Sequence, residues 1–272
     1  MPTFFASDFH LGTDARHTSA ERERRIVAWL DRCAAEDADA IYLVGDLFEF
    51  WFEWRRAVPR GHVRFLGKLA ELTDRGIPVY VFTGNHDMWM RDYLEREMGV
   101  VLYREPVVHT IYGKKVLIGH GDGLGPGDHG YKRLKKLINA GWAKWLYARL
   151  HPNLAMQLAL FISGKSRDSQ PAEEKFLGPD QEWLIAYSER KLAENPRLAY
   201  CIFGHRHLPI DYTLSNGTSR YINLGEWMQA YSYLRMEPAS AELLSFDPAA
   251  PAPPDSYRGY RGAPHTSLNP GP

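Results

Sequence analysis

A chain of 272 residues with 44% hydrophobic and 24% charged residues has the make-up of an ordinary soluble globular protein, long enough to bury one large core. Lysine plus arginine and aspartate plus glutamate balance at 33 each, so net charge argues neither for nor against an anionic partner. Two cysteines exclude a disulfide scaffold, and the lack of any 18-residue apolar stretch excludes a membrane-spanning helix on sequence grounds.

Taken in order, the chain alternates strand and helix. Thr3 to Ser7 is a short apolar run with no basic leader before it, so no secretion signal is read and the cytoplasm is the expected address. From Glu21 to Ala35, apolar residues at Ile26, Trp29, Leu30 and Cys33 have helical spacing. Ala40 to Val44 reads as a buried strand and Val63 to Asp74 as a helix punctuated by Gly76 and Pro78. Val79 to Thr83, Lys115 to Ile118, Tyr200 to Phe203 and Tyr221 to Leu224 are further strands, with Cys201 expected as a buried reduced thiol. Such alternation predicts an α/β sheet protein.

Two segments stand apart from a main domain spanning residues 1–247. Residues 129–167 hold eight lysines or arginines and no acidic residue, and Leu134, Ile138, Trp142 and Trp145 sit at roughly helical spacing, which predicts an inserted helical subdomain. Residues 248–272 are rich in Pro, Gly, Ser and Ala and are expected to be a disordered tail.

The decisive pattern is where polar residues fall. Five apolar runs end in residues of metal-ligating type: Asp8-Phe9-His10, Gly45-Asp46, Gly84-Asn85-His86-Asp87, Gly119-His120-Gly121-Asp122 and Gly204-His205-Arg206-His207. Alone, each is more often a turn than a site. Together, at strand ends that gather on one edge of a sheet, they read as a ligand cage. Imidazoles, carboxylates and an amide oxygen without thiolate suit Mn, Fe, Zn or similar ions. A carboxylate such as Asp46 can bridge two cations, which then activate water for in-line displacement at phosphorus.

In order and spacing, these motifs resemble the calcineurin-like metallophosphoesterase family over about Phe4 to Leu224. The resemblance implies a four-layer α/β/β/α sandwich and two divalent ions, expected to be Mn2+. It implies Asp8, His10, Asp46 and His207 as ligands of the first ion, and Asp46, Asn85, His120 and His205 as ligands of the second. His86 matches the family's non-ligand histidine, which stabilises the transition state or protonates the leaving oxygen. Glu49 is read as a carboxylate that orients His86.

Within the family, Gly45 to Trp51 and the His120-Gly121-Asp122 loop are similar to the branch that hydrolyses UDP-2,3-diacylglucosamine in lipid A biosynthesis. That likeness implies Asp128, Tyr131, Lys165, Ser166 and Arg167 as substrate contacts, a lid covering acyl chains, and an enzyme peripheral to the inner membrane. The basic segment with Trp142, Trp145 and Tyr147 suits an anionic membrane surface, with an ordinary helix pair packing its tryptophans on the core as the alternative. The aromatic run Phe48, Phe50, Trp51, Phe52 and Trp54 is expected to divide between core and pocket wall. One departure is His86, where the branch carries arginine; a titratable imidazole replaces a permanent bidentate charge. A phosphodiesterase or phosphatase for another nucleotide or lipid phosphate is the alternative, and a metal-free binding module a second. Nucleic-acid binding has only the basic segment to recommend it and is not expected.

Overall fold

A computed structural model describes residues 1–125, 129–168 and 175–246, with the backbone alone for residues 129, 131, 132, 134 and 165–168. The expected disordered tail, residues 248–272, lies outside the described residues. Strands β1 (Thr3–Ala6), β2 (Ala40–Val44), β3 (Val79–Phe82) and β4 (Val101–Tyr103) run parallel, and β10 (Ser232–Met236) and β11 (Ala241–Ser245) extend the sheet antiparallel beyond β1. A second sheet has β6 (Lys114–Ile118), β7 (Leu198–Phe203) and β9 (Arg220–Leu224) parallel at its centre, flanked by antiparallel β5 (Val107–Ile111) and β8 (Pro209–Thr213).

The strands read as unbroken apolar runs because each central one is covered on both faces. Along β2, Ile41 and Leu43 point to one core while Ala40, Tyr42 and Val44 point to another. The first core lies under helices α1 (Ser19–Ala35) and α2 (Val63–Asp74), with Trp29, Leu30, Phe65 and Leu69 fully buried. The second lies between the sheets, where Phe5, Val44 and Phe82 meet Ile118, Ile202 and Ile222. A third packs Leu184 and Ile185 of α7 (Trp183–Glu194) on Cys201, Phe203 and Tyr221. Helix, sheet, sheet and helix make the expected four-layer sandwich. Cys33 and Cys201 are buried free thiols, and burial pushes Cys201 up to about 11.

Two buried glutamates close helix ends that their own sequence leaves open. α2 starts at His62 without a side-chain cap, and Glu23 of α1 accepts the Arg64 and Phe65 amides at 2.9 and 3.1 Å. Glu53 does the same for the short α3 (Tyr93–Met98), accepting the amides of Arg91, Asp92 and Tyr93 at 2.9–3.2 Å. α1 begins two residues before the expected Glu21, because Thr18 and Glu21 form a reciprocal capping box.

Residues 129–167, read as an insertion, hold helices α4 (His129–Ile138), α5 (Gly141–Tyr147) and most of α6 (Pro152–Asp168). Leu134, Ile138, Trp142 and Trp145 do not share one helix, since α4 ends at Ile138 and a new helix opens at Gly141. No helix among the described residues is long and apolar enough to cross a membrane.

The caps are testable. Glu23→Ala is expected to cost about 1–2 kcal/mol by leaving two orphan α2 amides, measured by urea unfolding. A change within a few tenths of a kcal/mol would show that water caps α2 equally well.

Candidate metal centre

The parallel strands deliver their C-terminal loops to one edge. Asp8 and His10 follow β1, Asp46 follows β2, Asn85 and His86 follow β3, His120 follows β6, and His205 and His207 follow β7. Asp8, His10, Asp46, His205 and His207 all have left-handed backbones, with φ between 45 and 69°. This conformation costs roughly 1–2 kcal/mol per non-glycine residue, and such concentration marks a site where tertiary contacts hold strained backbone. Crowding requires glycine beside the ligands. A Cβ on Gly204 would stand 2.5 Å from Asp8 Oδ2, and one on Gly84 would strike Asp46 Oδ1 and its amide.

The ligand-type atoms form two groups. Asp8 Oδ1 lies 3.2 Å from His207 Nε2 and 3.9 Å from His10 Nε2, and the two imidazole nitrogens are 3.2 Å apart. Asp46 Oδ2 lies 3.2 Å from His120 Nε2, which is 3.3 Å from Asn85 Oδ1, and Asp46, His120 and His205 form a second cluster. The same Asp46 oxygen stands 3.9 Å from His10 Nε2, between the groups. Ligands bonded to one ion at about 2.0–2.2 Å stand roughly 3.0–3.5 Å from each other; the 3.2 and 3.3 Å spacings fit shared cations, and the two 3.9 Å spacings to His10 are wider.

Three further observations fit a cation. Asp8 Oδ1 is fully buried and accepts no hydrogen bond. His10 Nδ1 faces Glu49 Oε2 at 3.1 Å and His120 Nδ1 faces the Val44 carbonyl at 2.9 Å; each then carries its proton on Nδ1 and presents the Nε2 lone pair inward. The field has the same sense. Burial opposes ionisation of Asp46, but the surrounding His120, His86 and His10 outweigh it and hold the carboxyl well below the usual range. Burial opposes charge on His120, yet Asp46 and Asp8 drive it well above an ordinary imidazole. Burial and the neighbouring His120 press His205 down to about 4. The carboxylates demand positive charge, and proton or metal ion can supply it.

Residues 1–209 match the family model described as calcineurin-like phosphoesterase. The chain belongs to the calcineurin-like phosphoesterase family. It is 39% identical over 257 residues to the UDP-2,3-diacylglucosamine hydrolase of Porphyromonas gingivalis, covering 90% of this chain and 97% of that one. It is 31% identical to the protein of the same name from Aeromonas salmonicida, covering 89% and 92% of the two chains.

In this phosphoesterase all seven ligand-type residues and His86 come together. Glu49 differs from expectation. Its carboxylate binds His10 and stands 3.7 Å from His86 Nδ1, while its main-chain carbonyl accepts from His86 at 3.1 Å. Register explains this: the Glu49 amide donates to the Leu11 carbonyl, and Leu11 bridges Phe48, which sets Glu49 beside His10. Burial opposes ionisation of Glu49, but the bonds to His10 and Ser163 and the charge of His86 bring it down to about 2.

Of the expected substrate contacts, Asp128 lies outside the described residues. Tyr131 lies in α4, and Lys165, Ser166 and Arg167 lie in α6, their side chains likewise outside the description.

Several supporting residues escaped sequence reasoning. Asp87 accepts the amides of Gly84 at 2.7 Å and Leu47 at 2.8 Å, tying the β2 and β3 loops together. Burial and the adjacent Asp46 push it up to about 7. Its place in Gly-Asn-His-Asp was a usable signal. Arg22, fully buried, donates to the carbonyls of Phe9, His10 and Thr13 and braces the β1 loop. Arg206, between the two histidines, pairs with buried Glu182 at 3.0 Å, and Glu182 also accepts the Leu184 amide at the start of α7. Nothing in the sequence joins those two residues.

The insertion docks on this framework through small contacts. Tyr147 lies among Phe50, Phe52, Trp54 and Trp89 at centroid distances of 4.8–6.4 Å, whereas Phe48 and Trp51 are wholly core. Lys135 pairs with Asp122 at 2.5 Å. Ala155 and Ala159 of α6 are buried, while Leu154, Leu158, Phe161 and Ile162 are exposed. Trp142 and Trp145 are 61% and 59% exposed, which overturns the reading of them as core-packing residues.

The Arg206–Glu182 pair yields a prediction. Arg206→Met is expected to weaken Mn2+ binding about tenfold or more, the scale of lost supporting contacts, read by calorimetric titration. Unchanged affinity would mean that the His205 and His207 backbones hold without it.

Proposed function

We propose that this phosphoesterase hydrolyses the diphosphate of UDP-2,3-diacylglucosamine to UMP and 2,3-diacylglucosamine 1-phosphate, a step of lipid A biosynthesis, with Mn2+ as its metal. The observation that carries the reading is an apolar helical insertion docked beside a cage suited to cations. A lipid-linked diphosphate requires both, a greasy surface for its chains and concentrated positive charge for its phosphates. The names of the two relatives, aligned over nearly their full lengths, point the same way.

In this reading Asp8, His10, Asp46 and His207 hold one divalent ion and Asp46, Asn85, His120 and His205 the other. When bound, the two ions acidify water and offset negative charge developing at phosphorus. The chain's own groups do the rest. Glu49 and the Val44 carbonyl keep the His10 and His120 rings in the tautomer with Nε2 inward. His86, anchored through Nδ1–H, is left with Nε2, which donates to a phosphoryl oxygen or gives a proton to the leaving group when the ring carries its second proton there. Asp128, Tyr131, Lys165, Ser166 and Arg167 are assigned to the substrate.

The enzyme works at the cytoplasmic face of the inner membrane. Trp142, Trp145, Leu146, Phe161 and Ile162 are exposed beside basic residues, a combination that favours an anionic bilayer surface.

The purified chain is expected to release UMP from the diacylated sugar nucleotide, to stop with chelator and to resume with Mn2+. Asp46→Ala should abolish turnover and remove bound metal. Fast hydrolysis of generic phosphodiesters with no UMP released would favour a phosphodiesterase of other specificity.

Changing Trp142 and Trp145 to serine is expected to reduce turnover of vesicle-borne substrate about tenfold or more while sparing a short-chain soluble analogue. Each buried aromatic is worth more than about 1.4 kcal/mol in apolar transfer, a factor of ten. Equal loss on both substrates would contradict membrane contact.

A further inference from the structure

We infer that Ser163, on the inner face of α6, is a positioning residue that couples docking of the helical insertion to the orientation of His86. The inference rests on the phosphoester-hydrolase reading above, in which His86 serves the phosphoryl group.

Ser163 is the polar member of an otherwise alanine stripe. Ala155, Ala159 and Ser163 recur every four residues, so they share the face of α6 turned to the body of the protein. The hydroxyl donates a short hydrogen bond to Glu49 Oε1 and stands 3.1 Å from His86 Nδ1. Glu49 Oε2 meanwhile faces His10 Nδ1, and the Glu49 carbonyl faces His86 Nδ1 at 3.1 Å. One proton inventory satisfies all four contacts. A carboxylate donates nothing, so the Ser163 hydroxyl proton goes to Oε1. Ser163 Oγ can then only accept from His86, as the Glu49 carbonyl does, so His86 bears its proton on Nδ1 and shares it between the two oxygens. That leaves Nε2 as the ring atom available to the substrate, where it donates to a phosphoryl or leaving-group oxygen when the ring carries a second proton.

Two acceptors fix the plane of the His86 ring where one would leave it free to rotate about a single hydrogen bond. One of them belongs to the main domain and the other to the insertion. Withdrawal of α6 therefore removes half of the restraint on His86 and one partner of Glu49, without touching a candidate metal ligand directly. The arrangement makes hydrolysis efficient when the insertion is docked, the state in which acyl chains are held.

The test compares wild type with Ser163→Ala and Ser163→Thr. Ser163→Ala is expected to lower kcat about tenfold on the acylated sugar nucleotide and on a short-chain analogue alike, with KM and metal content unchanged, and Ser163→Thr to restore most of it. A rise in KM confined to the acylated substrate, or an unchanged kcat, would overturn the inference. A wild-type chain that releases no UMP would instead count against the substrate reading. The same comparison would then use bis(p-nitrophenyl) phosphate. Independent of any turnover, 15N NMR of the histidine side chains should show the Nδ1–H form of His86 in wild type and its loss of order in Ser163→Ala. Identical His86 signals in both proteins would sink the proposal.

Discussion

Two carboxylates, Asp8 and Asp46, are buried at the edge of the sheets among imidazoles, and this concentration of charge in a poorly solvated place governs the rest of the architecture. Removing a carboxylate from water costs several kcal/mol unless positive charge meets it. Here the backbone supplies one hydrogen bond to each, from the His205 amide to Asp8 and from the His86 amide to Asp46, and leaves the other oxygen facing imidazole nitrogens. A cation completes the balance. The left-handed residues are the corollary, because five donors from the loops after three strands converge only if those loops turn sharply at once.

Much of the surrounding structure resists the consequence of that crowding. Arg22 gathers three carbonyls of the β1 loop, Asp87 ties the loops after β2 and β3, and Glu182 holds Arg206 in the loop after β7. Each joins a ligand-bearing loop to a neighbouring element. Strain at the centre is thus offset by charge-assisted hydrogen bonds around it, which are roughly twice as strong as neutral ones.

The helical insertion inverts the usual amphipathic arrangement. Small residues of α6 face the protein and large apolar ones face outward. Close helix approach explains the first, since alanine lets α6 reach the Glu49 and His86 region. The second exposes an apolar patch that water disfavours. The aromatic segment after Asp46 serves both sides: Phe48 and Trp51 complete the core, while Phe50, Phe52 and Trp54 hold Tyr147.

The sequence by itself determined the alternation of strand and helix and the identity of the ligand-type residues. Both are local: a strand covered on two faces is an unbroken apolar run, and a loop that crowds donors needs glycine beside aspartate, histidine or asparagine. What lay between distant segments was decided only by the tertiary structure. Glu49 serves His10 because the Leu11–Phe48 bridge sets its register, and Glu23 and Glu53 cap helices elsewhere in the chain. Spacing through Leu134 and Trp145 marked the segment as helical, but not that one helix ends at Ile138 and another opens at Gly141, nor that both tryptophans face outward. Hydrogen bonds and ion pairs depend on distances in space, and residues 24 or 114 positions apart, as Arg206 and Glu182 or Ser163 and Glu49 are, carry no mark of each other until the fold brings them into contact.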